Sequence, residues 1–516
     1  MDKHLLDALT LWQLVLLRAA ATPDALMLID ADGARWSFAQ FAAGAARVAA
    51  TLQAHGVRDG SVVTWQMPTS VGALLVSTAL ARLGAVQNPV IHLYGKKELA
   101  AILGQNRSAL MIVPARAERD FETLARAVIA ELAQPPALLV FDLARPTQEA
   151  TALPAAPLHD DVRWVYYTSG TSAEPKGVRH TDASLIAGGR ALASALGVTA
   201  ADIGSLSFPV AHVGGSMYLV MLLSVGMAAL VLPSFDPDKS SALFTKYGVS
   251  VTGGSTAHYQ GLLNAQRRQP GTPLAPTLRL LSGGGAAKPP ALYYQLRDEM
   301  GLKVAHSYGM TEAPMISGGS PLHSDEQLAH SDGKPVAGMS IRIVRADGGL
   351  AANGEAGEIR IKGPTLCRGY TDPELSAAAF DADGYFHTGD IGLLRPDGHL
   401  ALTGRLKDVI IRKGENVSAQ ELEQVLGLHP KVGAVAVIGL PDSERGERVC
   451  AVVELRDPAV PFTFEEMVAC FEAAGAMRQK IPEQLEVIDR LPRNETFNKV
   501  LKFKLRERFT GEPHGR

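Results

Sequence analysis

From Ser61 onward the chain repeats one rhythm. Short runs rich in β-branched residues, "SVVTW" at 61–65, "ALMIV" at 109–113 and "ALLVF" at 137–141, alternate with Ala/Leu-rich helical stretches such as 70–83. Runs of that length make strands, and strands alternating with helices make βαβ units, because parallel neighbours need a long crossover to join them. The rhythm therefore predicts an α/β fold with a largely parallel sheet. At 516 residues the chain also exceeds what one hydrophobic core supports, and length alone suggests about three cores.

Composition narrows the partners. With 47% hydrophobic residues, 20% charged residues and a formal net charge of -3, the chain has neither the basic field of a nucleic-acid binder nor the composition of a disordered tail. Cys367, Cys450 and Cys470 are odd in number and far apart, with no CxxC or Cys/His spacing. Neither a disulfide framework nor a zinc site is expected, and a cytoplasmic location fits. The N-terminal "LTLWQLVLLRAAA" is interrupted by Gln13 and Arg18 and preceded by Asp2 and Asp7, which predicts an amphipathic helix rather than a signal sequence. The most apolar run, 217–232, is too short for an untilted membrane span, contains Gly226 and stops at Pro233. A buried helix feeding a buried strand is expected there. No transmembrane segment is read, and peripheral membrane contact or a homodimer stays open.

Residues 25–36 read as a hairpin turning at Asp32-Gly33, and Ser37 with Gln40 forms a capping box that opens a helix toward Gly56. The Pro/Ala/Asp-rich 145–161 and the Gly/Ser/His-rich 318–335 read as connections within a domain. After residue 340, "SIRIVRADGGL", "GEIRIKG" and "DGHLALTG" alternate with Gly and Asp turns, predicting a small antiparallel or barrel-like β region with no helix in it. The better domain boundary lies near "GRLKDVIIRKGENVS", dividing 1–406 from 407–516. Beyond it Ser418-x-x-Glu421 and Thr463-x-x-Glu466 open helices, 433–439 and 449–455 read as strands, and a basic helix runs from about Lys499. Together these make a compact α+β domain of ordinary size.

The stretch "YYTSGTSAEPKGVRH", 166–180, begins as a strand and passes into a turn. Thr168, Ser169, Thr171 and Ser172 offer hydroxyl and backbone donors, Gly170 permits close approach and Lys176 adds a movable positive charge, an inventory suited to a polyphosphate. This is not a Walker A loop, because the lysine precedes the glycine and no Gly-Lys-Ser/Thr follows. On its own the stretch also reads as a polar turn after a strand.

It does not stand alone. "YTSGTSAEPKGV" resembles the phosphate loop of the AMP-forming adenylating enzymes, the family of acyl-CoA synthetases, luciferases and peptide-synthetase adenylation domains. Further motifs similar to that family follow in its order: "PVAHVGG" at 209–215, "SGGGA" at 282–286, "YGMTE" at 308–312, "GEIRIKGP" at 357–364, "GYFHTGD" at 384–390, "GRLKDVI" at 404–410 and "LPRNETFNKVLK" at 491–502. The resemblance implies a large N-terminal domain of mixed sheets packed with helices, with a small barrel-like β region, and a smaller α+β C-terminal domain on a hinge. It implies two half-reactions: a carboxylate attacks the α-phosphate of Mg-ATP to give acyl-AMP and pyrophosphate, and the thiol of coenzyme A then takes the acyl group.

Carried over residue by residue, the resemblance makes Lys499 the catalytic lysine that reaches the α-phosphate and Glu312 the acid that holds Mg2+, with Thr168 beside them in catalysis. Thr168, Ser169, Gly170, Thr171, Ser172 and Lys176 would bind the ATP phosphates. Gly284, Gly285, Ala286, Tyr308, Gly309, Met310 and Thr311 would surround the nucleotide, Tyr308 stacking on adenine. Asp390 would accept from the ribose hydroxyls and Arg405 contact the same nucleotide. His212 and "TGGSTAHY", with Gly253, Gly254 and Ser255, would line the acyl pocket, and those small residues suggest a roomy one. Lys413 and Gly414 would guide coenzyme A, and Lys407 marks the hinge.

Two positions depart from the family pattern: Ser172-Ala173 stand where Thr-Gly is usual, and Asn498 where Gly is usual. Asn tolerates the left-handed backbone that such a glycine signals. The leading expectation is an acid:CoA ligase of fatty-acid metabolism acting on a fatty, alicyclic or other bulky apolar acid. The rivals are a ligase that loads a carrier protein, a luciferase-like oxygenase and an ATP-binding pseudoenzyme.

Overall fold

A computed structural model of the chain describes residues 7–142, 153–168, 175–412, 415–442, 444–474, 477, 480–493 and 500–510, with the backbone alone at 415–416. Two compact units emerge, one of residues 1–288, 292–340 and 362–386, the other of 289–291, 341–361 and 387–516. The second unit thus takes in strands on both sides of residue 406.

The first unit is α/β, as the rhythm after Ser61 predicts. Its six-stranded sheet runs in the order Ala137–Phe141, Leu110–Pro114, Val62–Gln66, Val86–Val90, Val162–Thr168, Lys176–Thr181. The first five strands are parallel, and the last turns back antiparallel as a hairpin. The second sheet has nine strands. Leu26–Ile29, Ala228–Val231, Ile203–Leu206, Val251–Gly254, Leu280–Gly284 and Lys303–Met310 run parallel, and antiparallel strands close both edges. Its core joins Leu230, Phe244, Tyr259, Leu281, Tyr293 and Val304 under the helices of one face.

Local signals place several elements. Ser37 and Gln40 cap the helix Phe38–Ala54 reciprocally, and the hairpin before it turns at Asp32-Gly33. The apolar run at 217–232 is the second half of the helix Val213–Val225 and the buried strand Ala228–Val231. Among the described residues no helix is long and apolar enough to cross a membrane. The N-terminal helix Leu11–Ala21 buries Leu11, Leu14, Val15 and Arg18 along one face and exposes Leu16. Its start is tied down by Asp182, whose Oδ2 accepts from the Leu11 N–H at 2.8 Å. Near its end Arg18 donates to the Leu223 carbonyl at 2.7 Å and the Ser224 carbonyl at 3.0 Å, a cation satisfying the last carbonyls of the helix Val213–Val225.

The second unit holds a four-stranded sheet, Ser340–Val344, Gly357–Lys362, Phe386–Leu394 and Leu400–Arg405, and a five-stranded one. In the latter Val409–Arg412, Gly446–Leu455 and Val432–Asp442 are antiparallel neighbours and Gln484–Val487 adds on in parallel. Helices Ala419–Gly427 and Phe464–Ala473 begin at Ser418 and Thr463 as the capping signals predict. The basic helix begins at Lys502; Lys499 lies outside the described residues.

One expectation fails on a short helix. The stretch between the second and third strands of the four-stranded sheet does contain a helix, Pro373–Ala378: Asp372 accepts from the N–H groups of Glu374 and Leu375, and Pro373 supplies a preset first turn. The connection 318–335 also contains one, Asp325–His330, with Ser324 and Gln327 in a capping box. Six residues are too few to show a helical period, so the caps carry the whole signal.

Candidate active site

The hairpin of the six-stranded sheet positions the first group. Thr168 ends the strand Val162–Thr168 and pairs in register with Lys176, which begins Lys176–Thr181. The hydroxyl and the ammonium-bearing residue therefore face each other at the mouth of the loop that contains Ser169, Gly170, Thr171 and Ser172, which lie outside the described residues. Residues 368–371 run antiparallel beside the outer strand: Val178 bridges Tyr370, and the Thr371 N–H donates to Gly177 carbonyl at 2.8 Å. This edge brings Tyr370 under Lys176, whose Nζ lies 5.9 Å from the ring centroid. The Tyr370 hydroxyl in turn donates to Glu312 Oε1 at 2.8 Å. Burial first, and then the charge of Glu312, push the Tyr370 phenol up from its ordinary value, so it acts as a donor.

Glu312 is buried, and its backbone carbonyl accepts from Cys367 N–H at 2.8 Å. Burial pushes the Cys367 thiol up to about 12, which leaves it protonated. The backbone before Glu312 is held by a residue that sequence reasoning passed over. His180 lies within hydrogen-bond distance of the Thr311 carbonyl through Nε2 at 2.7 Å and of the Ser184 hydroxyl through Nδ1 at 2.8 Å. A carbonyl can only accept, so the proton sits on Nε2, and burial keeps the ring neutral by lowering its pKa to about 4.

The second group sits at the carboxyl ends of the parallel strands Val251–Gly254, Leu280–Gly284 and Lys303–Met310, the edge where ligands of open α/β sheets bind. Here backbones approach closely. A Cβ on Gly253 would fall 1.5 Å from the Ser282 carbonyl oxygen, and one on Gly283 1.8 Å from that of Gly254. Gly253 in "TGGSTAHY" and Gly283 and Gly284 in "SGGGA" are thus demanded by neighbouring main chain, whereas Gly254 lies under the ring of His258. Their smallness carries no argument for a roomy pocket. Beyond the strand end, His306 Nε2 donates to the Ala286 carbonyl at 2.9 Å, and burial lowers its pKa to about 3, so Nε2 bears the proton of a neutral ring. Gly284, Gly285 and Ala286 are thereby anchored beside Tyr308, which is itself buried. Gly309 and Met310 complete that strand, with Thr311 just beyond it.

His212 is the N-cap of the helix Val213–Val225, its Nδ1 accepting from Gly214 N–H at 3.2 Å. The other end of that helix is the one held by Arg18, so its two ends are fixed by residues 194 positions apart along the chain. Ser255 caps the helix Thr256–Arg268.

In the second unit, Asp390 and Arg405 are direct partners across an antiparallel pair, and Arg405 Nε lies 2.8 Å from Asp390 Oδ1. Asp390 is buried while Arg405 is half-exposed. Lys407 lies in a single turn of helix, Leu406–Asp408, between two strands; burial and the neighbouring Arg405 lower its pKa. Lys413 and Gly414 lie outside the described residues.

Among the described residues no cluster of three or more His, Cys, Asp or Glu could hold a metal ion. A single buried carboxylate held by a tyrosine does fit Mg2+, which takes one or two protein carboxylates and fills its shell with phosphate oxygens and water.

Tyr370, His180 and His306 went unread because their partners are 58, 131 and 20 positions away. No local spacing could have marked them.

A mixed-sheet α/β protein with its polar groups gathered at a hairpin mouth and at the carboxyl ends of parallel strands belongs to the class that takes its ligand at those ends. The chain belongs to the AMP-binding enzyme family: the family's main domain matches residues 16–371 and its C-terminal domain residues 421–498. A medium-chain fatty-acid–CoA ligase of Escherichia coli (strain K12) is 30% identical over 95% of this chain and 88% of its own. A long-chain-fatty-acid–CoA ligase of Mycobacterium tuberculosis is 32% identical over 96% and 97%. Among solved structures, o-succinylbenzoate coenzyme A synthetase from Bacillus subtilis in complex with its acyl-adenylate intermediate superposes with a TM-score of 0.85 at 28% identity, covering 98% of this chain and 99% of that one. The same enzyme in complex with ATP and a magnesium ion gives 0.84 at 28% identity, covering 95% and 98%.

Proposed function

We propose that this enzyme is an ATP-dependent acid:CoA ligase that activates a fatty, alicyclic or other bulky apolar acid as acyl-AMP, releases pyrophosphate, and then forms the coenzyme A thioester. The observation that carries this reading is the linked set at the hairpin mouth: Thr168 opposite Lys176, Lys176 over Tyr370, and Tyr370 bound to Glu312. Charge gathers on the phosphates in the first half-reaction, so aligned donors and fixed cations supply most of the rate. Thr168 and Lys176 hold the phosphate chain, and Glu312 holds Mg2+, which when bound neutralises phosphate charge. Tyr308 and the anchored 284–286 segment hold the adenine, and Asp390 with Arg405 the ribose.

Lys499 neutralises the α-phosphate and carboxylate during adenylation. The segment from Lys407 onward then swings, removing Lys499 and bringing Lys413 and Gly414 to the thiol acceptor. The fatty-acid preference is supported by the names of the Escherichia coli and Mycobacterium tuberculosis relatives, and the three free cysteines support a cytoplasmic site of action.

The test is AMP release from a panel of carboxylic acids, with and without coenzyme A, for the native enzyme and Lys499→Ala. The variant is expected to lose adenylation while still thiolating acyl-AMP supplied preformed. Equal loss of both halves would remove Lys499 from its role. AMP release that yields thioester only on a carrier protein would replace coenzyme A as acceptor.

A further inference from the structure

Ser205 and Thr252 stand side by side on parallel strands, their hydroxyls 2.5 Å apart, in the register that pairs Val251 with Gly204. Side chains two residues further on return to the same face. Ser207, just past the strand Ile203–Leu206, and Gly254, at the end of Val251–Gly254, therefore carry that face to the carboxyl edge of the sheet. Ser207 is buried, and its hydroxyl has no hydrogen-bond partner among the described residues.

His258 covers Gly254 from the first turn of the helix Thr256–Arg268: a Cβ on Gly254 would lie 2.6 Å from its Nδ1. The Ser255 N–H donates to Nδ1 at 3.2 Å, and the Ser255 hydroxyl lies 3.4 Å from the same atom. Nδ1 is thus an acceptor. Burial keeps the ring neutral, its pKa pushed down to about 4, so the proton is on Nε2. Phe235 packs on the ring with centroids 4.5 Å apart and fixes its plane. Among the described residues nothing accepts from Nε2.

Two unspent polar groups, a buried hydroxyl and an N–H, thus lie on the face of the sheet that Gly254 shares, at its carboxyl edge. Resting on the ligase reading, we propose that Ser207 and His258 form a polar subsite within the acyl pocket, and that the preferred acid is an otherwise apolar one bearing a neutral oxygen acceptor, such as a ketone. Both groups are uncharged, so a second carboxylate is not what they select. A pocket built to hydrogen-bond an oxygen discriminates against the hydrocarbon lacking it, because its own polar groups are then left unpaired.

The test compares kcat/KM for AMP release with octanoate and with oxo-octanoates in which the ketone is moved one carbon at a time. The native enzyme is expected to favour at least one ketone position over octanoate by about tenfold. His258→Gln and His258→Glu both keep a capping box with Ser255, since either side chain accepts from its N–H, but only Gln also donates. The Gln variant should therefore retain the preference and the Glu variant lose or reverse it, while Ser207→Ala should reduce it severalfold. Melting temperatures of the Gln and Glu variants show whether the cap survives in both. The proposal is overturned if no oxo acid exceeds octanoate in the native enzyme, or if the Gln and Glu variants show the same ratio. If none of these acids releases AMP the proposal is overturned, and if none of the wider panel of carboxylic acids does either, the ligase reading itself falls.

Discussion

The hairpin mouth and the glycine edge grip in different ways. At Thr168 and Lys176 the sheet presents side chains, and the backbone beneath them is an ordinary antiparallel pair. At Val251–Gly254 and Leu280–Gly284 the sheet presents its own backbone, brought so close that side chains are excluded. Chemistry can therefore be changed at the hairpin without disturbing the fold, whereas at the glycine edge the fold and the site are one object.

The largest effect follows from that difference. Gly253→Ala places a methyl carbon 1.5 Å from the Ser282 oxygen, and a main-chain carbonyl in a paired strand cannot step aside. The loss should exceed about 4 kcal/mol, seen as an insoluble protein or a collapse of the melting temperature. A soluble Gly253→Ala enzyme with a near-native melting point would break the contrast. At the hairpin side, Glu312→Gln should cost about 10²–10³ in the adenylation rate, the scale for losing one group that organises transition-state charge. Thermal stability should stay close to native, because Gln can still accept from the Tyr370 hydroxyl.

How much of this could be read in advance follows the same divide. Thr168 and Lys176 were nominated from hydroxyls and a lysine within one short motif, and Glu312 through the resemblance of "YGMTE"; what the structure adds is that Thr168 pairs with Lys176 and that Tyr370 joins Lys176 to Glu312. The caps at Ser37, Ser418 and Thr463 were legible because both partners lie within three residues. Gly253 and Gly254 hinted at space, but the carbonyl that excludes a side chain at Gly253 belongs to Ser282 on another strand, and the ring over Gly254 belongs to His258 in the helix that follows. His180 looked like the end of a motif, and its hold on Thr311 exists only once two sheets are built. The helices Asp325–His330 and Pro373–Ala378 were lost because their caps were not weighed without a period behind them.

Acid sharpens the comparison at the glycine edge. His258 and His306 have pKa values lowered to about 4 and about 3 in the folded protein, against about 6.5 unfolded. Above about pH 6.5 neither state is protonated and these groups give no pH dependence. As pH falls below that value the unfolded chain takes up protons that the folded protein refuses, so stability declines, until the native rings themselves titrate near 4 and 3. Each should contribute about 1.4 kcal/mol per pH unit within its window. Denaturant unfolding of His258→Gln between pH 6 and 4 should show a shallower slope than native. An unchanged slope would mean the ring is charged in the folded state.

The smallest effect separates two reasons for glycine on the same turn. Gly285 has φ +79 and nothing within 4 Å of where its Cβ would stand, while Gly283 would collide with Gly254. Gly285→Ala therefore pays only for left-handed backbone, about 1 kcal/mol, and leaves the strand contacts intact. The segment it belongs to, 284–286, is anchored by His306 through Ala286, so the strain is absorbed by the fold rather than by movement of the turn. Melting temperature should fall by a few degrees, and KM for ATP should stay within about twofold. A large rise in KM with no change in stability would show that the turn relaxed toward the nucleotide, and that backbone conformation at Gly285 serves binding directly.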